Sequence, residues 1–199
     1  MDKIELYKGT DKDNQICQIK TIETIDDFMK VISVFKEKPF YEILDKESCE
    51  KEYALYEEKG QALGYYKDGK IVGLNCLVYE SDKSHSIKFD DDLNVAYYSG
   101  FAVLKGLRGH GIGKKLIKET DNFLKELNYF DYCYARVMAK DAESEPIFRL
   151  NDFEEVYIDG ELIVDEVTYE RNNPNVPQTD ERKYMAKKLS DTKKRILRR

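Results

Sequence analysis

Ile16 and Ile19 alternate with polar neighbours over residues 15–20, and this period of two predicts a short strand. The period then changes. Ile25, Phe28, Met29, Ile32 and Phe35 fall at helical spacing behind Thr24 or Asp26 as cap, and Pro39 ends the run. A second helix is expected over residues 46–59, with Gly60 as its C-terminal stop. Residues 62–67 and 70–79 flank Asp68-Gly69, a two-residue hairpin signal. Residues 81–92 are polar and acidic and read as a surface loop. Residues 94–104, rich in Tyr, Phe and Val, read as a strand, and the chain turns over residues 105–110.

A helix is predicted from residue 111 to about 127, because Ile112, Leu116, Ile117, Phe123, Leu124 and Leu127 form one apolar stripe. A strand over 131–138 and a short helix over 143–150 follow, with Pro146 tolerated in the first turn. Residues 153–158 read as a strand ending at Asp159-Gly160, a second hairpin signal, and residues 162–169 are expected to pair back. Residues 172–179, with Pro174 and Pro177, read as loop, and 183–189 as the last strand. The hairpins force antiparallel pairs, while strand–helix–strand over 94–138 favours one parallel pair. The expected class is α/β with α+β character: a mixed, mostly antiparallel sheet with helices on its faces.

Composition narrows this reading. With 199 residues, 41% apolar and 36% charged, the chain suits one soluble domain with a real core. It has no run of about 18 apolar residues for a membrane span, and no apolar segment behind Met1 for a signal peptide. Cys17, Cys49, Cys76 and Cys133 are far apart and only His85 and His110 accompany them, so no metal is expected. Buried free thiols in a reducing, cytoplasmic compartment are expected instead. The net charge of −6 is uneven: the end from Arg182 to Arg199 carries +8, leaving −14 on the rest. An acidic body attracts cations and disfavours nucleic acid, and the basic end is either a contact tail or a solvated terminus.

The chemistry concentrates in residues 101–117. A strand ends, a turn holds Gly109, Gly111 and Gly113, and an amphipathic helix begins. The first N–H groups of a helix lack internal partners and the helix dipole adds positive potential, so such a junction binds anions. Glycines let a diphosphate approach the backbone, and Arg108 adds a fork of donors suited to phosphate. A dinucleotide fingerprint fails, because its third glycine falls on Lys114 or Leu116. A P-loop fails at Arg108 and Lys115. Arg108-x-x-Gly111-x-Gly113 remains.

That hexapeptide resembles the Q/R-x-x-G-x-G/A signature of the GNAT superfamily of acetyl-CoA-dependent N-acetyltransferases, which lies between the family's fourth strand and third helix. The last strand, Tyr184-Met-Ala-Lys-Lys-Leu, and residues 141–153 are also similar to family segments, so the resemblance covers about residues 16–189. It implies the GNAT fold with about seven strands. Residues 1–189 would form a single domain, with an irregular insertion at 159–182 acting as an acceptor lid or a plain loop, and residues 190–199 a basic tail. It implies that the N–H groups of Arg108, Gly109, His110, Gly111, Ile112, Gly113 and Lys114 hold the pyrophosphate of acetyl-CoA. Phe101, Ala102 and Val103 would pair with the pantetheine arm beside a β-bulge, and an N–H near Val103 would polarise the thioester. Asp141 would face pantetheine, and the His110 side chain would face solvent or the phosphates.

Two positions depart from the family pattern. Asp141 replaces an asparagine, and ionised aspartate donates no hydrogen bond. Phe148 stands where a tyrosine usually protonates the leaving thiolate; it is assigned to packing against the core or the acetyl arm. Tyr97, Tyr98, Tyr134 and Tyr157 are candidate replacements. Residues 94–103 hold no acid to serve as base, and Glu80 acting through water is the candidate. The expected function is acetyl transfer by direct attack of a primary amine, on a polyamine, amino sugar, lysine side chain or peptide. The alternative is an acyl-CoA-binding sensor or interaction module with little turnover. Homodimers occur in the family; no membrane or nucleic-acid partner is expected.

Overall fold

Asp68 and Gly69 both adopt positive φ, 46° and 75°, the backbone that a two-residue hairpin turn demands. They join β3 (Gly60–Lys67) to β4 (Lys70–Val78) in antiparallel register. Asp159 and Gly160, at φ 54° and 85°, do the same for β8 (Tyr157–Ile158) and β9 (Glu161–Leu162). The computed structural model describes residues 3–32, 46–79, 93–139, 144–170 and 177–190, with main chain alone over 167–170 and 177–180. The expected loop at 81–92, Phe35, Pro39, Glu80, Asp141 and residues 191–199 lie outside these.

Two compact units divide the chain, residues 1–78 with 99–120 and residues 79–98 with 121–199. In the first, β1 (Glu5–Thr10), β2 (Ile16–Thr21), β3 and β4 follow one another in antiparallel order. β1 was not foreseen. Helix α1 (Ile25–Ile32) starts at Thr24, whose Oγ1 accepts the Asp27 N–H at 3.2 Å, so Thr24 and not Asp26 is its cap. Helix α2 (Lys46–Lys59) has the expected bounds. The helix stops at Gly60 as expected; Gly60 also opens β3, and a Cβ there would lie 1.9 Å from the Leu77 carbonyl oxygen. Phe28, from α1, packs its ring 5.4 Å from Tyr53 and 5.9 Å from Tyr56 of α2, and Leu63, Leu74 and Leu77 of β3 and β4 are fully buried.

β5 (Val95–Val103) and α3 (Ile112–Glu126) each contribute to both units. In the second unit β5 pairs in parallel with β6 (Tyr132–Met138), the expected parallel pair. Helix α4 (Glu145–Arg149) carries Pro146 in its first turn. The expected strand 153–158 is split into β7 (Glu154–Glu155) and β8, and 162–169 into β9 and β10 (Val164–Glu170). β10 pairs with β11 (Pro177–Lys188) rather than folding back on β8. The supposed irregular insertion is thus largely a β10–β11 hairpin. Pro177, read as loop, is the first residue of β11, where a missing N–H costs no ladder bond. β11 also pairs with β6 and β7, giving the order β5-β6-β11-β10. The mixed, mostly antiparallel sheet has nine strands among the described residues rather than about seven; β1 is the strand added to those read from the sequence. One core cluster of this unit is Leu93, Val95, Tyr134, Val156, Ile163 and Tyr184.

Candidate functional site

Gly109 and Gly111 sit at φ 78° and 79°, with nothing within 4 Å of where a Cβ would point. Glycine is required there by backbone conformation, not by crowding. After a 3-10 turn at Lys105–Leu107, α3 begins at Ile112, and its first bond is donated by Lys115 to the Gly111 carbonyl at 3.0 Å. The N–H groups of Ile112, Gly113 and Lys114 precede that bond and point out of the helix start. Gly109, His110, Gly111 and Lys114 are exposed, while Ile112 is buried with Leu116 and anchors the turn. The turn therefore offers several main-chain donors at the positive end of a helix dipole, which suits a diphosphate.

Arg108 Nε donates to the Val103 carbonyl at 3.2 Å, tying the turn to the end of β5. Leu104 N–H donates to Val72 of β4 at 3.0 Å, and the Ala102 carbonyl also lies on the β4 side. Alternation then turns the main-chain groups of Phe101 and Val103 away from β4. Of the three residues expected beside pantetheine, Phe101 and Val103 thus face the side opposite β4 and Ala102 faces β4.

The β5–β6 ladder spans Val95↔Tyr132 to Tyr98↔Ala135, although both strands continue. Ser99 Oγ lies 3.1 Å from the Tyr56 hydroxyl, and a Cβ on Gly100 would lie 3.4 Å from the Cys76 Cβ and 3.7 Å from the Tyr56 hydroxyl oxygen.

The candidate acids are differently placed. The Tyr98 hydroxyl is buried and donates to Asp121 Oδ1 at 2.6 Å. Tyr134 is fully buried, with Tyr97 and Tyr184 stacked 4.7 and 6.2 Å from it. Tyr157 is 56% exposed and donates to Glu155 at 3.1 Å. Phe148 packs edge-on to Tyr98 and Phe153, 5.8 and 5.1 Å away, which is the core role expected of it. All four cysteines are free and buried.

Sequence reasoning missed one cluster. On α2 the Tyr56 hydroxyl donates to Glu52 Oε1 at 2.6 Å, and Ser99 Oγ lies within reach of that hydroxyl and, at 3.3 Å, of the Cys76 carbonyl. Glu52 and Tyr56 stand one helical turn apart, which the sequence shows, but nothing local ties them to Ser99. Burial pushes the Glu52 carboxyl above its ordinary 4.5, opposed by the Tyr56 hydrogen bond. Burial also raises Tyr56, with Cys76 and Glu52 adding to the effect. Elsewhere, a cavity of about 500 Å³ adjoins Gly109, His110 and Ile112. Asp11 and Asp13 also line it and disfavour a phosphate there, since Asp11 already holds Lys67 at 2.8 Å.

No curated protein matches the chain in sequence. Solved structures match its fold. A ribosomal-protein-alanine N-acetyltransferase of Brucella melitensis is 17% identical, covering 85% of this chain and 98% of that one, with a TM-score of 0.64. A putative acetyltransferase of Salmonella typhimurium, solved with acetyl-CoA, is 11% identical over 89% and 96%, with a TM-score of 0.62. NAA60 of Arabidopsis thaliana, solved with a bisubstrate analogue, is 16% identical over 86% and 97%, with a TM-score of 0.63. The sequence model of the acetyltransferase (GNAT) family matches residues 24–153, a span that holds α1 to α4 and the whole glycine turn. The chain belongs to the GNAT family of acetyltransferases.

Proposed function

We propose that the protein transfers an acetyl group from acetyl-CoA to a primary amine of a small cationic molecule or peptide by direct attack. One observation carries the proposal. The outward N–H groups from Gly109 to Lys114, ahead of the Lys115–Gly111 bond, form an anion cradle at the end of a strand whose Phe101 and Val103 edge is turned outward. Pyrophosphate on the cradle sends the pantetheine arm back along β5. The thioester is the far end of that arm, so it falls toward Phe101, and the Phe101 N–H replaces Val103 as the donor nearest the acyl oxygen. Arg108 holds the cradle to the strand through its Nε, and its positive charge beside the turn favours the phosphates. Asp141 remains a candidate pantetheine contact by family resemblance alone.

A cationic acceptor fits the acidic body of the chain. With Tyr98 and Tyr134 buried in the core, no tyrosine is needed as acid: a thiol of reference pKa about 8.5 leaves as its anion. Positioning two bound reactants supplies much of the rate. The test is release of CoA thiol from acetyl-CoA with spermidine, kanamycin, free amino acids and basic peptides, beside calorimetric binding of acetyl-CoA. Binding and release with one acceptor class support the reading. Binding without release from any of them favours the alternative, an acyl-CoA-binding module, to which the replacement of tyrosine by Phe148 also points.

A further inference from the structure

We propose that Ser99, Tyr56 and Glu52 form the proton relay that deprotonates the attacking amine, with Ser99 Oγ touching the nitrogen and the Glu52 carboxylate as final acceptor. The proposal rests on the acetyl-transfer reading, because only there does an amine lose a proton beside β5. An ammonium of reference pKa about 10.4 must give up a proton before it can attack a thioester, and the acceptor must lie within hydrogen-bond reach or act through a connected hydroxyl. Residues 94–103 contain no acid. The structure supplies one from another element.

The geometry is continuous. Ser99 lies two residues before Phe101, or about 7 Å along the strand, on the side toward which the thioester end of the arm points. Its hydroxyl is 3.1 Å from the Tyr56 hydroxyl, which is 2.6 Å from Glu52 Oε1. Ser99 is half-buried and so reachable from a bound substrate, while Tyr56 is 1% exposed, so protons pass through it without exchange with bulk water. The Gly100 position beside them carries no side chain to separate Tyr56 from the strand.

The proton count closes. The ammonium gives one proton to Ser99 Oγ as the Ser99 proton moves to Tyr56 and the Tyr56 proton moves to Glu52. Both hydroxyls are restored and Glu52 becomes a neutral carboxylic acid. The amine lone pair then bonds to the thioester carbon, the C–S bond breaks, and the second proton of the nitrogen leaves with the thiolate as CoA thiol. Among the described residues, the groups facing Glu52 are Tyr56 of its own helix and Cys76 of β4, with the Phe28 ring of α1 against Tyr56. Burial raises both Tyr56 and Cys76 and keeps them neutral, so neither is an anion that competes with Glu52 for the proton.

The experiment compares the wild-type chain with E52Q and S99A. It measures acetyl-CoA affinity by calorimetry, and thiol release from acetyl-CoA with spermidine, kanamycin and a basic peptide from pH 5 to 10. Each variant should bind acetyl-CoA as the wild type does and lose roughly 10²–10⁴-fold in kcat near pH 7. E52Q should regain activity as pH rises toward the reference pKa of the amine, about 10.4, because the acceptor then arrives neutral. A loss equal at every pH marks a structural role and overturns the relay, as does a variant with wild-type kcat and pH profile. Wild-type protein that binds acetyl-CoA but releases no thiol overturns the relay while leaving acyl-CoA binding intact. Failure to bind acetyl-CoA overturns the underlying reading as well.

Discussion

The Tyr98 hydroxyl donates a 2.6 Å hydrogen bond to Oδ1 of Asp121, whose Oδ2 accepts from Lys187 at 2.7 Å. This buried chain closes through Lys187 onto the Asn151 carbonyl at 2.7 Å, so it links β5, α3 and β11 of one unit. A tyrosine bound to an internal carboxylate is a poor proton donor to a departing thiolate. Tyr98→Phe should therefore leave kcat unchanged. It should cost about 1.5–3 kcal/mol of stability, the usual range for a hydrogen bond to a charged group, read from urea unfolding. A hundredfold fall in kcat at unchanged stability would return Tyr98 to the list of acids.

Asp121 and Lys187 should behave as a coupled pair. Burial pushes the Asp121 carboxyl up, opposed by its bonds to Lys187 and Tyr98. Asp121→Ala leaves the Lys187 ammonium, 13% exposed along its side chain, with only the exposed Asp152 carboxylate at 3.8 Å, and should cost about 3 kcal/mol. Replacing both with apolar residues, Asp121→Leu with Lys187→Met, should cost less than the sum of the single changes. Unfolding free energies of the four proteins in a double-mutant cycle measure that coupling, and strict additivity would deny it.

The local features were legible in the sequence and the long-range ones were not. Asp68-Gly69 and Asp159-Gly160 declared their turns because positive φ is a property of two adjacent residues. Arg108, Gly111 and Gly113 were readable for the same reason, since the cradle is built from one continuous turn. Gly60 marked the end of α2, but its other reason lies across the sheet, in the carbonyl of Leu77, and was not legible. Strand β1 lacked a signal: its exposed and half-buried residues show no alternating apolar face. The Tyr56–Ser99 contact joins residues 43 positions apart, and no periodicity predicts which tyrosine of fifteen will meet which serine.

Gly111 separates shape from charge in the cradle. Gly111→Ala places a Cβ at φ 79°, which costs an L-residue about 1–2 kcal/mol although the space is open. The turn should relax and acetyl-CoA affinity fall, with a modest drop in thermal midpoint. Arg108→Glu should weaken acetyl-CoA binding further without comparable loss of stability, because it sets an anion beside the pyrophosphate and removes the bond to the exposed Val103 carbonyl. Calorimetry on both variants checks the site, and unchanged affinity in Arg108→Glu would remove the turn from the binding site.

Acid should loosen the second unit through Lys183. Its Nζ lies 2.6 Å from Glu145 and 2.8 Å from Glu155, tying the start of α4 and strand β7 to β11. Lys183 holds both carboxyls below their ordinary 4.5, with Arg149 as the next contributor at Glu145. A carboxyl depressed in the folded state contributes stability that is present above its unfolded pKa and lost as pH falls through the folded one. The loss should therefore begin near pH 4.5 and deepen below it. Lys183→Met removes the cation that depresses both groups. Unfolding midpoints of the variant should fall less steeply between pH 5 and 3 than those of the wild type, after a constant penalty at neutral pH for leaving the two carboxylates to Arg149 and, at Glu155, the Tyr157 hydroxyl. Parallel midpoint curves for the two proteins would mean that acid acts elsewhere in the chain.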